Sequence, residues 1–297
     1  MEIASSDNKY KGIVYMLIAA AGFSIMGGFA KVLKGSFHTQ ELVFYRNFTG
    51  LLVLLFSFRR YPVIQTGGKL WLLLFRGLMG TIALYTLLYN ILHIPLGTAI
   101  TYNTTNTLFI ALLSYLVLKE RLGWIAITCI IVGFAGVLLI YRPGGGIGLF
   151  YHLIGLTCGL ASAIAYLSVS SLNRYYDTRI IVLSFILTGV LLPLTGVLLF
   201  AAGIKPDDFF VGQIRLPVNT EWLYIIGMGL FALLGQYFVT KAYAHDKAGI
   251  VSAIGYSNIV FAIVIGILLG DQLPDLVAVA GIMLVVVSGI VITVARK

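Results

Sequence analysis

The sequence predicts an all-α membrane protein: ten transmembrane helices arranged as two inverted five-helix repeats. Three observations predict it. Of the 297 residues, 60% are hydrophobic and 10% charged, with a mean hydropathy of +1.00, whereas a soluble domain carries about 25% charged residues. Apolar runs approach or exceed the roughly 20 residues that cross a bilayer as a helix, and the alternating ~10-residue segments of a transmembrane barrel are missing. A polar motif in the fourth run is echoed in the ninth.

The runs fall at about 11–33, 40–58, 69–92, 96–118, 122–141, 148–172, 178–202, 221–243, 249–270 and 275–294. The run from Gly12 reads as a first span and not as a removable signal: its flank is acidic as well as basic, it lacks an A-x-A site, and it leads straight into another span. Spans 2 and 3 contain Arg46 and Arg76, the only charges well inside any span. Pro95 and Pro274 sit near span starts, where the missing donor is tolerated, while Pro193 lies near the middle of span 7 and predicts a kink. Gly155-x-x-x-Gly159 in span 6 and Gly266-x-x-x-Gly270 in span 9 permit close helix approach, chiefly within the chain and alternatively in a homodimer. Short linkers make neighbours antiparallel. The longer loop from Gly203 to Thr220, with Pro206, Asp207, Asp208 and Pro217, lies outside the membrane.

Span 4 opens with a crowd of hydroxyls and amides. Thr98, Thr101, Tyr102, Thr105 and Asn106 fall on one helical face, with Asn103 and Thr107 on an adjacent stripe. Such groups are costly in hydrocarbon unless partnered or wet, so this half-helix is expected to face a cavity or another helix.

Orientation follows from the basic residues. Thirteen Lys and Arg lie on the side of the two termini and five opposite, which places both termini in the cytoplasm.

The repeat comes from span 9. Ser252-Ala253-Ile254-Gly255-Tyr256 echoes Thr98-Ala99-Ile100-Thr101-Tyr102, and the two spans end at Asp271-Gln272-Leu273 and Glu120-Arg121-Leu122. The register is imperfect, since Tyr102 precedes Glu120 by 18 residues and Tyr256 precedes Asp271 by 15. Residues 1–143 and 144–297 form the expected halves. Five spans per half invert the second copy, a plan that exposes one site alternately to two sides. Span 4 then carries its polar residues in the outer half, and span 9 carries Ser252, Tyr256, Ser257 and Asn258 in the inner half, as two alternating gates require.

Three stretches resemble a known family: ELVFYRNFTGLLVLL (Glu41 to Leu55), FRGLMG (Phe75 to Gly80), and LVLKERLGW (Leu116 to Trp124) followed by GFAGVLLI (Gly133 to Ile140). Their order and spacing are similar to those of EamA-type ten-span members of the drug/metabolite transporter superfamily. The resemblance implies a permease for small metabolites, with a central cavity lined mainly by spans 1, 3, 4, 6, 8 and 9. Members with Arg-Gly at the start of span 3 include transporters resembling those for S-adenosylmethionine; others export amino acids. The second half departs from the pattern, because span 7 has no counterpart of Arg46 and Asp271-Gln272-Leu273 is a weaker version of the acidic motif.

The expected substrate-cavity residues are Arg76, Tyr85, Tyr89, Thr98, Tyr102, Asn103, Asn106, Tyr166, Gln236, Ser252, Tyr256 and Asn258, with Arg46 and Glu120 as structural or gating charges. On span 3, Arg76 shares a narrow face with Gly80, Ala83 and Asn90, whereas Tyr85 and Tyr89 form the stripe favoured for the cavity. A membrane cation pairs with carbonyls, water or a substrate anion, or snorkels to the interface. No Asp or Glu lies in mid-span, so a carboxylate relay for protons is unsupported, and a substrate bearing a carboxylate suits two arginines better than a bare cation does. Tyr61, Trp71, Trp124, Tyr141 and Trp222 read as interfacial anchors.

Other classes fare badly. Cys129 and Cys158 sit in apolar runs, where a disulfide is not expected, and the four histidines lie apart with no metal-ligand spacing. No nucleophile motif or Walker loop appears. The net charge of +9 is scattered at span ends and forms no nucleic-acid stripe. No catalytic residue, metal or cofactor is expected; the partners are the lipid bilayer and a small-molecule substrate. The expected function is alternating-access transport of a small polar or zwitterionic metabolite, an amino acid or a derivative such as S-adenosylmethionine, across the cell inner membrane. The alternatives are a membrane-embedded enzyme, or a scaffold or receptor subunit that transports nothing.

Overall fold

The computed structural model describes residues 11–61, 63, 67–116, 123–141, 147–245, 251 and 254–295. Glu120 and Ser252 fall outside them. Eleven helices are described: α1 (Lys11–Val32), α2 (Thr39–Arg60), α3 (Leu70–His93), α4 (Leu96–Thr104), α5 (Asn106–Leu116), α6 (Trp124–Tyr141), α7 (Leu149–Leu172), α8 (Thr178–Ala201), α9 (Glu221–His245), α10 (Ser257–Leu268) and α11 (Leu276–Ala295). Six of them, α1, α2, α3, α7, α8 and α9, are each long and apolar enough to cross a membrane. The shorter α4 with α5, and α6, α10 and α11, supply the other four spans. Among the described residues the extended structure is limited to a single bridge, Lys34 to Phe37.

Polarity is distributed as hydrocarbon demands. Leu52, Phe56, Leu138, Leu198, Leu223 and Leu276 are exposed on the outside, while Arg46, Asn47, Arg76 and Asn90 are buried within. The fourth span breaks at Thr105 because hydroxyls there compete for backbone acceptors. Thr104 Oγ1 donates to the Thr101 carbonyl at 2.8 Å and Thr105 Oγ1 to the Tyr102 carbonyl at 2.6 Å, and the backbone tightens to i−3 bonds at Thr105 and Leu108. The ninth span breaks at Tyr256. Helix α8 continues through Pro193, whose carbonyl accepts the Gln40 amide at 2.8 Å.

The packing has the exchange symmetry of two equivalent halves, α1–α6 and α7–α11. Helix α1 packs on α9 as α7 packs on α3; α3 meets α8 as α9 meets α2; α1 meets α10 as α7 meets α4 and α5. Three pairs, α2–α8, α4–α10 and α6–α11, are their own counterparts and lie on the axis. Their contacts are reciprocal. A Cβ at Gly136 would sit 2.7 Å from the Gly281 carbonyl oxygen, and one at Gly281 would sit 2.6 Å from the Gly136 carbonyl oxygen. Gly50 and Gly189, the twelfth residues of α2 and α8, meet Ile186 and Asn47 of the opposite helix in the same way. With an odd number of spans per half, this relation inverts one half in the membrane.

At the end of the bundle away from the termini, termed outer below, the 203–220 loop is clamped onto α2. Glu41 accepts the Arg215 N–H at 2.9 Å, Tyr45 donates to the Arg215 carbonyl at 2.5 Å, and the Arg215 guanidinium reaches Glu221 at 2.7 Å and the Ser36 carbonyl at 2.8 Å.

Candidate substrate site

Where α1, α2, α3, α4, α7, α8, α9 and α10 converge, they leave a central cavity of about 50 Å³. One water centre needs roughly 10–15 Å³, so this space admits a few waters. Metabolite pockets run to about 300–1,000 Å³, so a substrate must part the helices to enter.

Two cations line the cavity. Arg46 is 4% and Arg76 1% exposed. Both guanidinium groups lie over Phe185 of α8, with Cζ at 5.0 Å and 5.3 Å from the ring centroid. Such stacking favours a cation more as water is excluded. Arg46 Nη1 also donates to Asn47 Oδ1 at 2.8 Å. Among the described residues that line it there is no carboxylate.

Amides complete the site. Asn103 Oδ1 accepts from Ser162 Oγ at 2.9 Å and from Cys158 Sγ at 3.4 Å, tying α4 to α7. Asn258 Oδ1 accepts from Ser24 Oγ at 2.5 Å, tying α10 to α1. Gln236 of α9 lines the cavity with Nε2 unpartnered. Tyr166 lines it and stacks on Tyr243, with centroids 5.1 Å apart. The polar openings of the fourth and ninth spans thus meet in one cavity, through Asn103 and Asn258.

The other expected residues lie elsewhere. On α3 it is the Arg76 face, with Gly80 and Ala83, that lines the cavity. Gly80 has no side chain to hold Phe185 away; a Cβ there would sit 2.8 Å from the ring. The expectation for Tyr85 and Tyr89 is therefore corrected: they face the 203–220 loop, with Phe209 5.6 Å from Tyr85 and 5.3 Å from Tyr89. Tyr102 is also displaced from the lining, because Gly155 lets its ring pack flat on α7 and its hydroxyl pairs with His152 Nδ1. Asn106 is buried beside Thr107. Tyr256 lines an apolar groove with Ile259, Val260 and Met283. Thr98 lines a separate outer cavity of about 410 Å³ with His93, Tyr151 and Asp271. The glycines of Gly155-x-x-x-Gly159 face Tyr102 and Thr105, and Gly266 faces Asp271 and Leu96, so these motifs serve contacts within the chain.

Sequence reasoning missed two features. Phe185 looks like any other apolar residue of span 7. The second is an outer latch at Asp271, for which the acidic end of span 9 was the available signal. Helix α10 ends in a Schellman turn: Gly270 takes φ +89, and the Asp271 N–H reaches the Gly266 carbonyl at 2.9 Å. The turn carries the Asp271 carboxylate back to the start of α4, where it accepts the Leu96 N–H at 2.9 Å and pairs with Lys31 of α1. Lys31 Nζ also donates to the Ile94 carbonyl at 3.3 Å. Three spans are joined there. Among the described residues no cluster of three or more His, Cys, Asp or Glu could hold a metal.

Comparison with known proteins agrees with this geometry. The model of the EamA-like transporter family matches residues 10–142 and 149–294, once in each half. An uncharacterized transporter of Helicobacter pylori is 33% identical over 95% of this chain and 94% of its own. The pseudopaline exporter CntI of Pseudomonas aeruginosa is 30% identical over 96% of this chain and 97% of its own. Solute carrier family 35 member G1 of Mus musculus is 27% identical over 96% of this chain and 78% of its own. A crystal structure with 19% sequence identity superposes with a TM-score of 0.60 over 94% of this chain and 96% of its own, which speaks for the fold alone. Family matches across both halves, together with a cavity at the junction of those halves, make this chain a member of the EamA-like transporter family and a multi-pass membrane transporter.

Proposed function

We propose that this transporter carries a small polar or zwitterionic metabolite, an amino acid or derivative, across the cell inner membrane by alternating access, with both termini cytoplasmic. One observation carries the reading: the cavity is walled by both halves, and its two cations and the amides of Gln236 and Asn258 are buried at the centre of the bundle, with Asn103 partly buried beside them. Rocking one half against the other would open that space first to one side and then to the other. The name of the Pseudomonas relative supports outward movement. Thirteen of the Lys and Arg residues on the side of the termini support the orientation.

The test is reconstitution. Purified protein in liposomes should move some solutes from a panel of amino acids, nucleosides and organic acids, and should discriminate among them. Cysteines introduced at Thr98 and Ser252 should react with impermeant reagents from opposite sides of the membrane. A protein that moves nothing, with both cysteines reached from one side, would be a scaffold or receptor subunit instead.

A further inference from the structure

Among the side-chain atoms lining the central cavity, those buried without a hydrogen-bond partner are all donors: Arg46 Nε, Arg76 Nε, Arg76 Nη1 and Gln236 Nε2. Three amide oxygens in or beside the cavity are already engaged as acceptors. Asn103 Oδ1 holds Ser162 and Cys158, Asn258 Oδ1 holds Ser24, and Asn47 Oδ1 holds Arg46. A site with four idle donors, and with three neighbouring amide oxygens already holding donors of their own, favours oxygens that only accept.

Charge points the same way. A buried cation is strongly unfavourable without a counter-charge. Lysine can escape by losing its proton, but a guanidinium keeps its own. Stacking both guanidinium groups on Phe185 shields them without supplying negative charge. Two fixed positive charges beside one cavity, with no carboxylate among the described lining residues, call for two negative charges from the occupant. The planar fork of each guanidinium matches a carboxylate. Four carboxylate oxygens also match the four idle donors in number. The ammonium of a zwitterion would find those three amide oxygens taken and two cations nearby.

We infer that the transported solute is a dicarboxylate, with one carboxylate on Arg46, the other on Arg76, and Gln236 completing the set of donors. Phe23, Met26, Leu84 and Leu87 would enclose its carbon chain. This rests on the transport reading above and narrows it from polar or zwitterionic to anionic.

Binding is measured on the full-length protein in nanodiscs with succinate, malate and glutarate, against butyrate, serine, inorganic phosphate and chloride. Dicarboxylates should bind at least about tenfold more tightly than butyrate, since each charged hydrogen bond lost costs a factor of this size or more. Arg46→Gln and Arg76→Gln should each weaken succinate binding by about 30-fold or more, the usual result of truncating one side of a buried charge pair. Arg76→Lys keeps the charge and loses the fork, so it should fall between; it also serves as the readout if a Gln variant fails to fold. Serine, phosphate or chloride binding as tightly as succinate would overturn the inference, as would succinate binding untouched by all three variants. Liposome counterflow separates the two readings. If other solutes move and dicarboxylates do not, the inference fails and transport stands. Arginine-dependent binding of succinate with no solute moved would sink the transport reading and keep the site.

Discussion

Replacing Asp271 by Asn tests what holds the outer end of the bundle shut. Asp271 joins three spans: its backbone N–H closes α10, and its carboxylate accepts the Leu96 N–H at the first turn of α4 and pairs with Lys31 of α1. The two side chains are 14% and 12% exposed, so solvent screens the pair only in part. Asn keeps the shape and loses the charge. A hydrogen bond to a charged group contributes about 1.5–3 kcal/mol, and a negative charge at a helix N-terminus about 0.3–1 kcal/mol. If both are lost when the outer end opens, the latch favours the closed form by about 2–4 kcal/mol. That corresponds to a shift of roughly 30-fold to several-hundred-fold in the open population. The residual exposure argues for the lower part of that range. The assay uses Ser162→Cys, since Ser162 lines the central cavity, in a background without Cys129 and Cys158. Its rate of reaction with an impermeant maleimide added from outside should rise about 30-fold on Asp271→Asn. Lys31→Met should also raise the rate, and the double variant should fall short of the product of the two single effects, because the Lys31–Asp271 pair is lost in both. Rates within twofold of the parent in both single variants would refute the latch.

Gly159→Ala should lower the melting temperature of purified protein in detergent, because its Cβ would lie 2.1 Å from Thr105 Oγ1 and 2.9 Å from the Tyr102 carbonyl oxygen; overpacking of this kind costs about 1–3 kcal/mol. Asp207→Ala should reduce hydrogen-exchange protection across residues 203–220 and leave the helices unchanged, since Asp207 accepts the Phe209, Phe210 and Val211 N–H groups at 2.8, 2.5 and 3.0 Å. Burial works to raise the Asp207 pKa, and the Phe210, Val211 and Phe209 donors outweigh it, leaving the value lowered. The stabilisation is then complete above the free-carboxylate range and lost as pH falls through the lower native value, so loop protection factors should be flat near neutrality and fall only below about pH 4.

Much of the fold is readable from the sequence, since a bilayer fixes the length and polarity of every span. The placement of Arg46 and Arg76 inside spans follows from that alone. Which face of a helix meets the cavity does not. On α3 both faces are plausible by composition, and the choice is made by residues far away in sequence: Phe185 fits against Gly80, and Phe209 with Phe210 covers Tyr85 and Tyr89. Tyr102 was legible as a polar group needing a partner, but its partner, His152, lies 50 residues on and two spans away. The repeat register is a subtler case. Matching Tyr102 to Tyr256 leaves the acidic ends three residues out of step. The structure breaks the fourth span at Thr105 and the ninth at Tyr256, each 15 residues before Glu120 and Asp271 in sequence. The shared backbone break and the acidic end keep register, and the similar strings around the tyrosines do not.

That register sharpens the relation between a symmetric frame and an asymmetric site. Arg46 and Phe185 are each the eighth residue of their helices, α2 and α8, which face one another on the axis. They are structural counterparts, and they stack. An arginine at both places would bring two like charges together in a medium that screens them poorly. Phenylalanine at one of them supplies a π face for its counterpart and for Arg76. Both cations therefore belong to the first half, whereas Gln236 and Asn258 belong to the second. Exchange symmetry of the helix contacts gives a second arrangement made from the same kinds of contact, so the two differ little in energy. A ligand can bias such a pair only through contacts that differ between the two arrangements. A site whose two charges sit on one half and whose Gln236 and Asn258 amides sit on the other has that property, because a solute bridging them experiences every change in the distance between the halves.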